Sequence, residues 1–283
     1  MNQTLRLRDL LADTSEAIGS RHEARWLCEV ASGFDGGEFD DGLDEPVGER
    51  VIAHLDAMLA RLRAGEPLQY VLGRWGFRHL DLAIDRRVLI PRPETELVAG
   101  VAIELAAALP GERVVADLGT GSGAIGLSVA SEVPLTGTSV WLTDDSADAL
   151  DVARANLAGI GRAASNVRLA EGSWLDALPD GVVCDVVVSN PPYVAVGSPD
   201  LDESVSRWEP AVALLAGDDG LDAIRVIARD APSRLRPGGW LVIEIGAEQG
   251  SAVRALLGAN GYSDIEIRRD LAGHERIALG RAQ

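Results

Sequence analysis

The chain has 283 residues, of which 47% are hydrophobic and 25% are charged. This composition is typical of a globular protein with a buried core, and it excludes a largely disordered chain. The length accommodates a catalytic domain with a smaller companion, so we expect two domains.

The chain is strongly acidic, with 44 Asp and Glu against 26 basic residues and a formal net charge of -18. This charge opposes nonspecific attraction to phosphate backbones and therefore disfavours a nucleic-acid substrate. Every one of the 26 basic residues is arginine, and no lysine occurs. The absence of lysine excludes a lysine Schiff base and a Walker-type phosphate lysine.

The sequence predicts neither a membrane span nor a secretory signal. Its longest apolar runs, such as Val186 to Val188, are far shorter than the roughly 20 residues of a transmembrane helix. Residues 1–18 lack the basic and apolar segments of a signal peptide. We therefore expect a cytoplasmic protein with no membrane partner. Cys28 and Cys184 are expected to be reduced core residues, with no disulfide and no metal.

Residues 1–73 carry helix signals without strand signals, which predicts an N-terminal helical domain. Leucines at helical spacing indicate a first helix, Ser20 suits the N-cap of a second helix over 21–32, and a third is expected at about 47–64. Residues 34–45 contain six acids and several glycines, a composition typical of a solvated loop. An electrostatic docking surface for a basic partner is the alternative for this segment.

Residues 74–90 link this part to the rest of the chain, and the alternation of Leu80, Leu82 and Ile84 predicts a short β-hairpin. Strand and helix patterns then alternate over 91–283, which predicts an α/β domain with a doubly wound, seven-stranded, mostly parallel sheet. The last two strands follow each other without a helix, so one strand should be antiparallel. Strands are predicted at 113–118, 139–144, 166–170, 182–189, 239–246, 263–269 and 275–280, and helices at 94–109, 122–131, 146–158, 220–235 and 248–259.

The segment "DLGTGSGAIG" at 117–126 follows the first strand of this sheet and opens a helix. Its glycines permit positive φ and close approach of a ligand, while the helix N-terminus offers free amides, so a nucleotide-like cofactor is indicated. The GxGxxG spacing, with Asp144 about 20 residues further on, also fits a dinucleotide. Asp117 favours S-adenosylmethionine, because a carboxylate there would face a pyrophosphate unfavourably but would attract a cationic amino-acid group.

Two further strand ends supply candidate cofactor contacts. The carboxylate of Asp144 ends the second strand and can accept hydrogen bonds from ribose hydroxyls, and on chemistry alone its neighbour Asp145 could do the same. Trp174 follows the third strand, where an indole could flank a purine ring. Core packing is the alternative for this side chain.

The segment "NPPY" at 190–193 follows the fourth strand and is expected in the ligand crevice beside the glycine loop. Pro191 and Pro192 lack N–H groups, so the local carbonyls should stay free of a tight turn, and Asn190 adds a side-chain oxygen. Two such acceptors match an NH2 group on a planar carbon and would hold it toward the methyl group of a sulfonium. Tyr193 could stack against the flat group. The segment therefore predicts N-methylation of an amide or an exocyclic amine.

These residues resemble the class I S-adenosylmethionine methyltransferases with an (N/D)PP(Y/F) motif and, more narrowly, the release factor glutamine methyltransferase family. The resemblance covers nearly the whole chain, including "GEPLQYVLG", "VLIPRPETE", "DLGTGSGAIGLSVA", "VVSNPPYV" and "RDLAGHERIALG". The "PRPETE" segment at 91–96 and the helical N-terminus are its most specific parts.

The resemblance implies a class I methyltransferase fold over 91–283, S-adenosylmethionine as the cofactor, and methylation of the glutamine side-chain amide in the GGQ loop of peptide chain release factors. Residues 1–73 would help to dock the release factor. The implied cofactor-binding residues, with Asp117 from the argument above, are Asp117, Gly119, Thr120, Gly121, Ser122, Gly123, Asp144, Trp174 and Asn190. The implied substrate-binding residues are Asn190, Pro191, Pro192 and Tyr193, and Asn190, Pro191 and Tyr193 are the candidate catalytic residues.

Three other functions compete with this one. A ribosomal-protein glutamine methyltransferase performs the same reaction, but such relatives usually have a serine after the "PR" of the segment at 91–96. A DNA or RNA adenine methyltransferase would offer a flat base amine to the same acceptors, but the acidic charge and the lack of a basic recognition domain count against it. A noncatalytic cofactor-binding protein is disfavoured by the intact "NPPY".

Overall fold

The structure is a computed structural model that describes residues 5–198 and 203–283. The chain divides into two compact units, Met1–Arg74 and Trp75–Gln283. Among the described residues, no helix has the length and apolar character that crossing a membrane requires.

The first unit is helical, as predicted. The second helix begins after Ser20, whose side-chain oxygen accepts a hydrogen bond from the Glu23 N–H, so the predicted N-cap is confirmed. The core of this first unit is formed by leucines of three helices together with Cys28, Phe39 and Met58. The α-helices of this unit are α1 (Leu7–Ile18), α2 (Arg21–Ser32), α3 (Gly37–Asp41), α4 (Glu49–Arg63) and α5 (Leu68–Leu72).

The acidic segment at 34–45 is not the irregular loop that its composition predicts. It contains α3, followed by a short 3-10 helix at Gly42–Asp44, and Phe39 is fully buried in the core of the unit. The guanidinium of Arg25 lies 5.2 Å from the Phe39 ring centroid and pairs with the Asp40 carboxylate at 2.7 Å. One buried aromatic residue therefore orders a segment whose charges alone would leave it solvated.

The predicted hairpin is present as β1 (Arg74–Phe77) and β2 (Leu80–Ala83). Arg78, between the two strands, has a φ of 54° and forms a two-pronged salt bridge with Glu132 at 2.6 and 2.7 Å. The side chain of Asn156 accepts from the Ala83 N–H at 2.7 Å and donates to the Ser122 carbonyl at 2.8 Å. The Asn156 side chain thus bridges the hairpin and the glycine-rich loop.

The rest of the second unit confirms the predicted α/β class, with helices packed on a seven-stranded sheet. In the sheet, β9 is antiparallel to both of its neighbours and the other pairs run parallel. The strand order is β5-β4-β3-β6-β7-β9-β8. The elements are α6 (Thr95–Ala107), β3 (Arg113–Leu118), α7 (Ala124–Glu132), β4 (Thr138–Asp144), α8 (Ala147–Gly159), β5 (Val167–Glu171), β6 (Cys184–Ser189), α9 (Glu203–Trp208), α10 (Asp222–Asp230), β7 (Leu235–Glu244), α11 (Gly250–Ala259), β8 (Ser263–Arg269) and β9 (Glu275–Arg281).

One boundary differs substantially from the prediction. The helix predicted at 220–235 ends at Asp230, and β7 begins at Leu235 rather than at residue 239. Leu235 pairs with Cys184, and the register then shifts before Trp240 pairs with Val186. The "RPGG" sequence between these pairs resembles a turn, but it forms an irregularity within the strand.

The first unit offers a direct test of the Phe39 anchor. We expect Phe39→Ala to destabilise it by about 3–5 kcal/mol, because a large cavity replaces the buried ring. Hydrogen exchange of the α2 amides, followed by mass spectrometry on the full chain, measures this loss. The exposed neighbour supplies the control, and Glu38→Ala should change the opening free energy by less than about 0.5 kcal/mol. Equal exchange rates in the two variants would show that Phe39 does not anchor the segment.

Candidate active site

A cavity that opens to solvent lies where the carboxyl ends of β3, β4 and β6 meet, and its space, with the open solvent included, is about 1060 Å³. This is the point at which the strand order reverses, the usual ligand position in an open α/β sheet. Of the predicted site residues, the cavity wall includes Asp117, Gly119, Thr120, Gly121, Ser122, Asp144, Trp174, Asn190 and Pro192. The structure does not bring Gly123, Pro191 or Tyr193 to this wall.

The glycine-rich loop uses its glycines for two different reasons. Gly119, Gly121 and Gly123 have φ values of 65°, 55° and 87°, in the left-handed region that disfavours side chains. Gly126 is helical, but a Cβ there would lie 2.1 Å from a methyl carbon of Leu142. The last glycine of the GxGxxG pattern therefore lets α7 pack closely on the sheet, while the others shape the loop.

Asp117 lines the cavity and has one carboxylate oxygen without a partner in the described residues. Its Oδ2 accepts hydrogen bonds from the Thr120 hydroxyl at 2.6 Å and from the Gly126 N–H at 2.9 Å. Its Oδ1 is buried and has no hydrogen-bond partner among the described residues. Burial raises the pKa of this carboxyl to about 6, and the negative charge of Asp144 adds to the rise. A cationic ligand group would donate a hydrogen bond to Oδ1 and neutralise the negative charge of the carboxylate.

Asp144 is held in a fixed orientation by two backbone amides. Its Oδ2 accepts from the Gly121 N–H at 2.9 Å and its Oδ1 from the Ser146 N–H at 3.0 Å. Burial raises the pKa of this carboxyl as well. Asp145 also lines the cavity but is exposed. Each Asp144 oxygen retains a lone pair with which it can accept a ribose hydroxyl.

Trp174 combines both of the roles considered for it. The side chain is half-buried, packs against the main core of the unit and also lines the cavity. Its φ of 45° is unusual for a residue with a large side chain, and a Cβ on Gly119 would come within 3.2 Å of the indole. The ring therefore lies directly against the glycine-rich loop, in a position to flank a flat ligand group.

The side-chain oxygen of Asn190 has no hydrogen-bond partner in the described part of the chain. Its Nδ2 donates a hydrogen bond to the Thr95 hydroxyl at 3.1 Å, which leaves Oδ1 available. Within 5–198 and 203–283, the backbone carbonyls of Asn190, Pro191 and Pro192 accept no hydrogen bond, whereas that of Tyr193 accepts one from Gln249. The segment thus offers several oxygens without internal partners, as expected from its two prolines.

Tyr193 lies away from the cavity wall, so the structure does not place it for stacking on a ligand in that cavity. Its hydroxyl donates to Glu244 Oε1 at 3.1 Å. Glu244 is only 1% exposed, and burial raises its pKa to about 7. Sequence reasoning missed both Thr95 and Glu244. The signal for Glu244 was available, because it is an acid at the carboxyl end of a central strand, like Asp117 and Asp144.

The outer wall of the cavity is fixed by an ion pair that the sequence analysis also missed. Arg92 of the "PRPETE" segment pairs with Glu209 at 2.5 Å, and Glu209 Oε2 accepts from the Ile90 N–H at 2.9 Å. Glu209 is buried, and the residues that follow it, Pro210, Val212 and Ala213, line the cavity. The two segments are thereby held together at the cavity mouth.

Comparisons with known proteins agree with this geometry. Residues 7–73 match the family described as PrmC N-terminal domain, and residues 101–205 match the family described as Methyltransferase small domain. The crystal structure of a methyltransferase from Pyrococcus furiosus has the same fold, with a TM-score of 0.52 and 20% identity over 80% of this chain and 98% of that chain.

Two curated relatives carry the resemblance across most of the chain. The release factor glutamine methyltransferase of Xylella fastidiosa strain Temecula1 is 44% identical over 84% of each chain. That of Bordetella pertussis strain Tohama I is 42% identical over 97% of this chain and 98% of its own length. On this identity and coverage, the chain belongs to the release factor glutamine methyltransferase family.

Proposed function

We propose that this chain transfers a methyl group from S-adenosylmethionine to the side-chain amide nitrogen of the glutamine in the GGQ loop of peptide chain release factors. The observation that carries the proposal is the free side-chain oxygen of Asn190 at the cavity wall, fixed through its amide nitrogen by Thr95. Membership of the family supports the release factor as the substrate.

The groups that line the cavity match the groups of the cofactor. The unpartnered Oδ1 of Asp117 would accept the cationic amino group, and the fixed carboxylate of Asp144 would accept the ribose hydroxyls. The indole of Trp174 would flank the adenine beside Gly119. When bound, S-adenosylmethionine supplies a methyl group on a positively charged sulfur.

Asn190 and the free carbonyls beside it would activate the amide by orientation. An amide nitrogen is a weak nucleophile, because its lone pair is delocalised into the carbonyl. Asn190 Oδ1 and one of the unpartnered backbone oxygens of residues 190–192 would accept both hydrogens of the NH2 group and aim the nitrogen at the methyl carbon. These oxygens also stabilise the positive charge that the nitrogen gains. The proton leaves after the transfer, so no base is needed beforehand.

Part of the cavity rim is apolar. Val212 is 74% exposed and lies on the wall next to Pro210 and Ala213, so the rim is apolar and uncharged there.

We propose in addition that residues 1–73 help to dock the release factor. This segment has twice as many acidic as basic residues, which favours a basic surface on the partner.

Incubation with methyl-labelled S-adenosylmethionine and a recombinant release factor tests the proposal. We expect label on the intact release factor and none when the GGQ glutamine is replaced by alanine. Label that persists after this replacement, or label on ribosomal protein or nucleic acid added instead, would contradict the proposed substrate.

Asn190→Ala should lower kcat for the release factor at least tenfold, since it removes an acceptor that is preorganised for the transition state. Cofactor affinity should change much less. Steady-state kinetics and calorimetric titration measure the two effects. Asn260→Ala, at the end of α11, serves as the matched control and should leave kcat unchanged. An unaltered kcat in Asn190→Ala would remove Asn190 from the mechanism.

Cofactor affinity should weaken as the pH falls below about 6. Protonation of Asp117, whose pKa burial raises to about 6, removes the negative charge that attracts the amino group. The loss should approach tenfold per pH unit and should be absent in Asp117→Asn. Calorimetric titration between pH 5 and 7 measures it. Methylthioadenosine, which lacks the amino-acid group, should bind without this dependence, and the same dependence for both ligands would argue against the assignment.

A further inference from the structure

We infer that Thr95 and Glu244 are positioning residues, which hold the side-chain amide of Asn190 with its oxygen toward the methyl-transfer site. The inference rests on the proposed function, in which that oxygen accepts the substrate NH2 group. It connects three elements, the first turn of α6, the end of β7 and the segment after β6.

The orientation of the Asn190 amide decides whether the site can work. An asparagine side chain has an acceptor at one end and a donor at the other, and rotation by half a turn about its last torsion exchanges them. In the exchanged orientation, the Asn190 NH2 group would face the substrate NH2 group, and two donors cannot pair. The protein therefore needs a partner that selects one orientation.

Thr95 selects the required orientation only if its hydroxyl oxygen accepts a hydrogen bond from Asn190 Nδ2. The hydroxyl oxygen lies 3.1 Å from Asn190 Nδ2, but a hydroxyl can donate as well as accept. A hydroxyl that donated to Asn190 would select the wrong orientation. Its hydrogen must therefore be directed elsewhere.

Glu244 supplies the acceptor for that hydrogen. Glu244 Oε2 is buried and has no hydrogen-bond partner among the described residues, and the Thr95 hydroxyl lowers the pKa of this carboxyl against the larger effect of burial. An ionised carboxylate can only accept hydrogen bonds, so the unpartnered Oε2 is the acceptor toward which the Thr95 hydrogen would turn, which leaves a Thr95 lone pair for the Asn190 amide. Both residues are buried, with exposures of 4% and 1%, so bulk water does not compete for these bonds.

The other groups around Glu244 favour the same arrangement. Tyr193 donates its hydroxyl to Glu244 Oε1 at 3.1 Å, and the positive charge of Arg276 lowers the pKa of the carboxyl, while Glu94 raises it. This contact gives Tyr193 a role in the motif without access to the cavity. It also links the "PRPETE" segment, through Thr95, to the chemistry of "NPPY".

Paired substitutions separate positioning from packing. Thr95→Val keeps the side-chain volume and removes the hydroxyl, so we expect kcat for the release factor to fall at least tenfold, with its KM and the cofactor Kd within about threefold of the original. Thr95→Ser keeps the hydroxyl and should retain kcat within about threefold. Thr138→Val is the control, because Thr138 is also buried but its hydroxyl bonds to Pro134 at the other end of the sheet. Equal losses in Thr95→Val and Thr95→Ser would indicate packing and overturn the inference.

Glu244→Gln provides a pH test of the same network. The original enzyme should gain kcat as the pH rises through about 7, because Glu244 must be ionised to accept the Thr95 hydrogen. The variant should have a low kcat without this rise. An unchanged pH profile in Glu244→Gln would assign the titration to another group and contradict the role given to Glu244.

A readout without substrate distinguishes this inference from the proposed function. The chain has five asparagines, so selective 15N-asparagine labelling resolves the NH2 resonances, and Asn190→Asp identifies those of Asn190. These resonances should shift in Thr95→Val and Glu244→Gln but not in Thr138→Val. If the resonances shift but the protein does not methylate the release factor, the inferred hydrogen bonds are supported and the proposed function is wrong. If the resonances do not shift but the protein does methylate the release factor, the inferred hydrogen bonds among Asn190, Thr95 and Glu244 are wrong.

Discussion

The hydrogen-bonded ladder between β3 and β6 is the constraint on which the site depends. The parallel register pairs Asp117 with Val188 and Leu118 with Ser189, and the Ser189 hydroxyl donates to the Leu118 carbonyl at 2.7 Å. Both strands therefore end side by side, and the glycine-rich loop and Asn190 emerge next to each other. A shift of one residue in this register would turn every side chain of β6 to the opposite face of the sheet and separate the two halves of the site.

Buried carboxylates at strand ends recur around this ladder. Asp117, Asp144 and Glu244 end β3, β4 and β7 or lie next to their ends, and burial raises the pKa of each. Leaving such groups partly without partners costs free energy of folding, and the fold tolerates the cost where a charge or an acceptor is needed. Asp117 and Asp144 line the cavity, whereas Glu244 is not part of its wall.

The sequence predicted the sheet well, because β-branched runs bounded by glycine and acid are strong strand signals, and β3 was predicted at its observed bounds. The predicted start of β7 was wrong, since its "RPGG" has the composition of a turn. The helix α3 was missed because the burial of one aromatic residue orders a segment that carries six charges. The Thr95 to Asn190 contact joins residues 95 positions apart, and no local pattern reports it. Tyr193 was predicted to stack against a flat substrate group, and the hydrogen bond that its hydroxyl donates to Glu244 could not be read from the sequence, since the two residues are 51 positions apart.

The long separations between paired residues have a consequence for synthesis on the ribosome. Arg92 meets Glu209 across 117 positions, and Tyr193 meets Glu244 across 51. Contacts of this range form late and slowly, because much of the chain must be ordered before they are made. A nascent chain that ends before Glu244 contains the complete glycine-rich loop and the whole "NPPY" segment, yet it lacks the carboxylate behind Thr95. Such a truncated product has the parts to recognise a cofactor without the means to hold the acceptor amide in place.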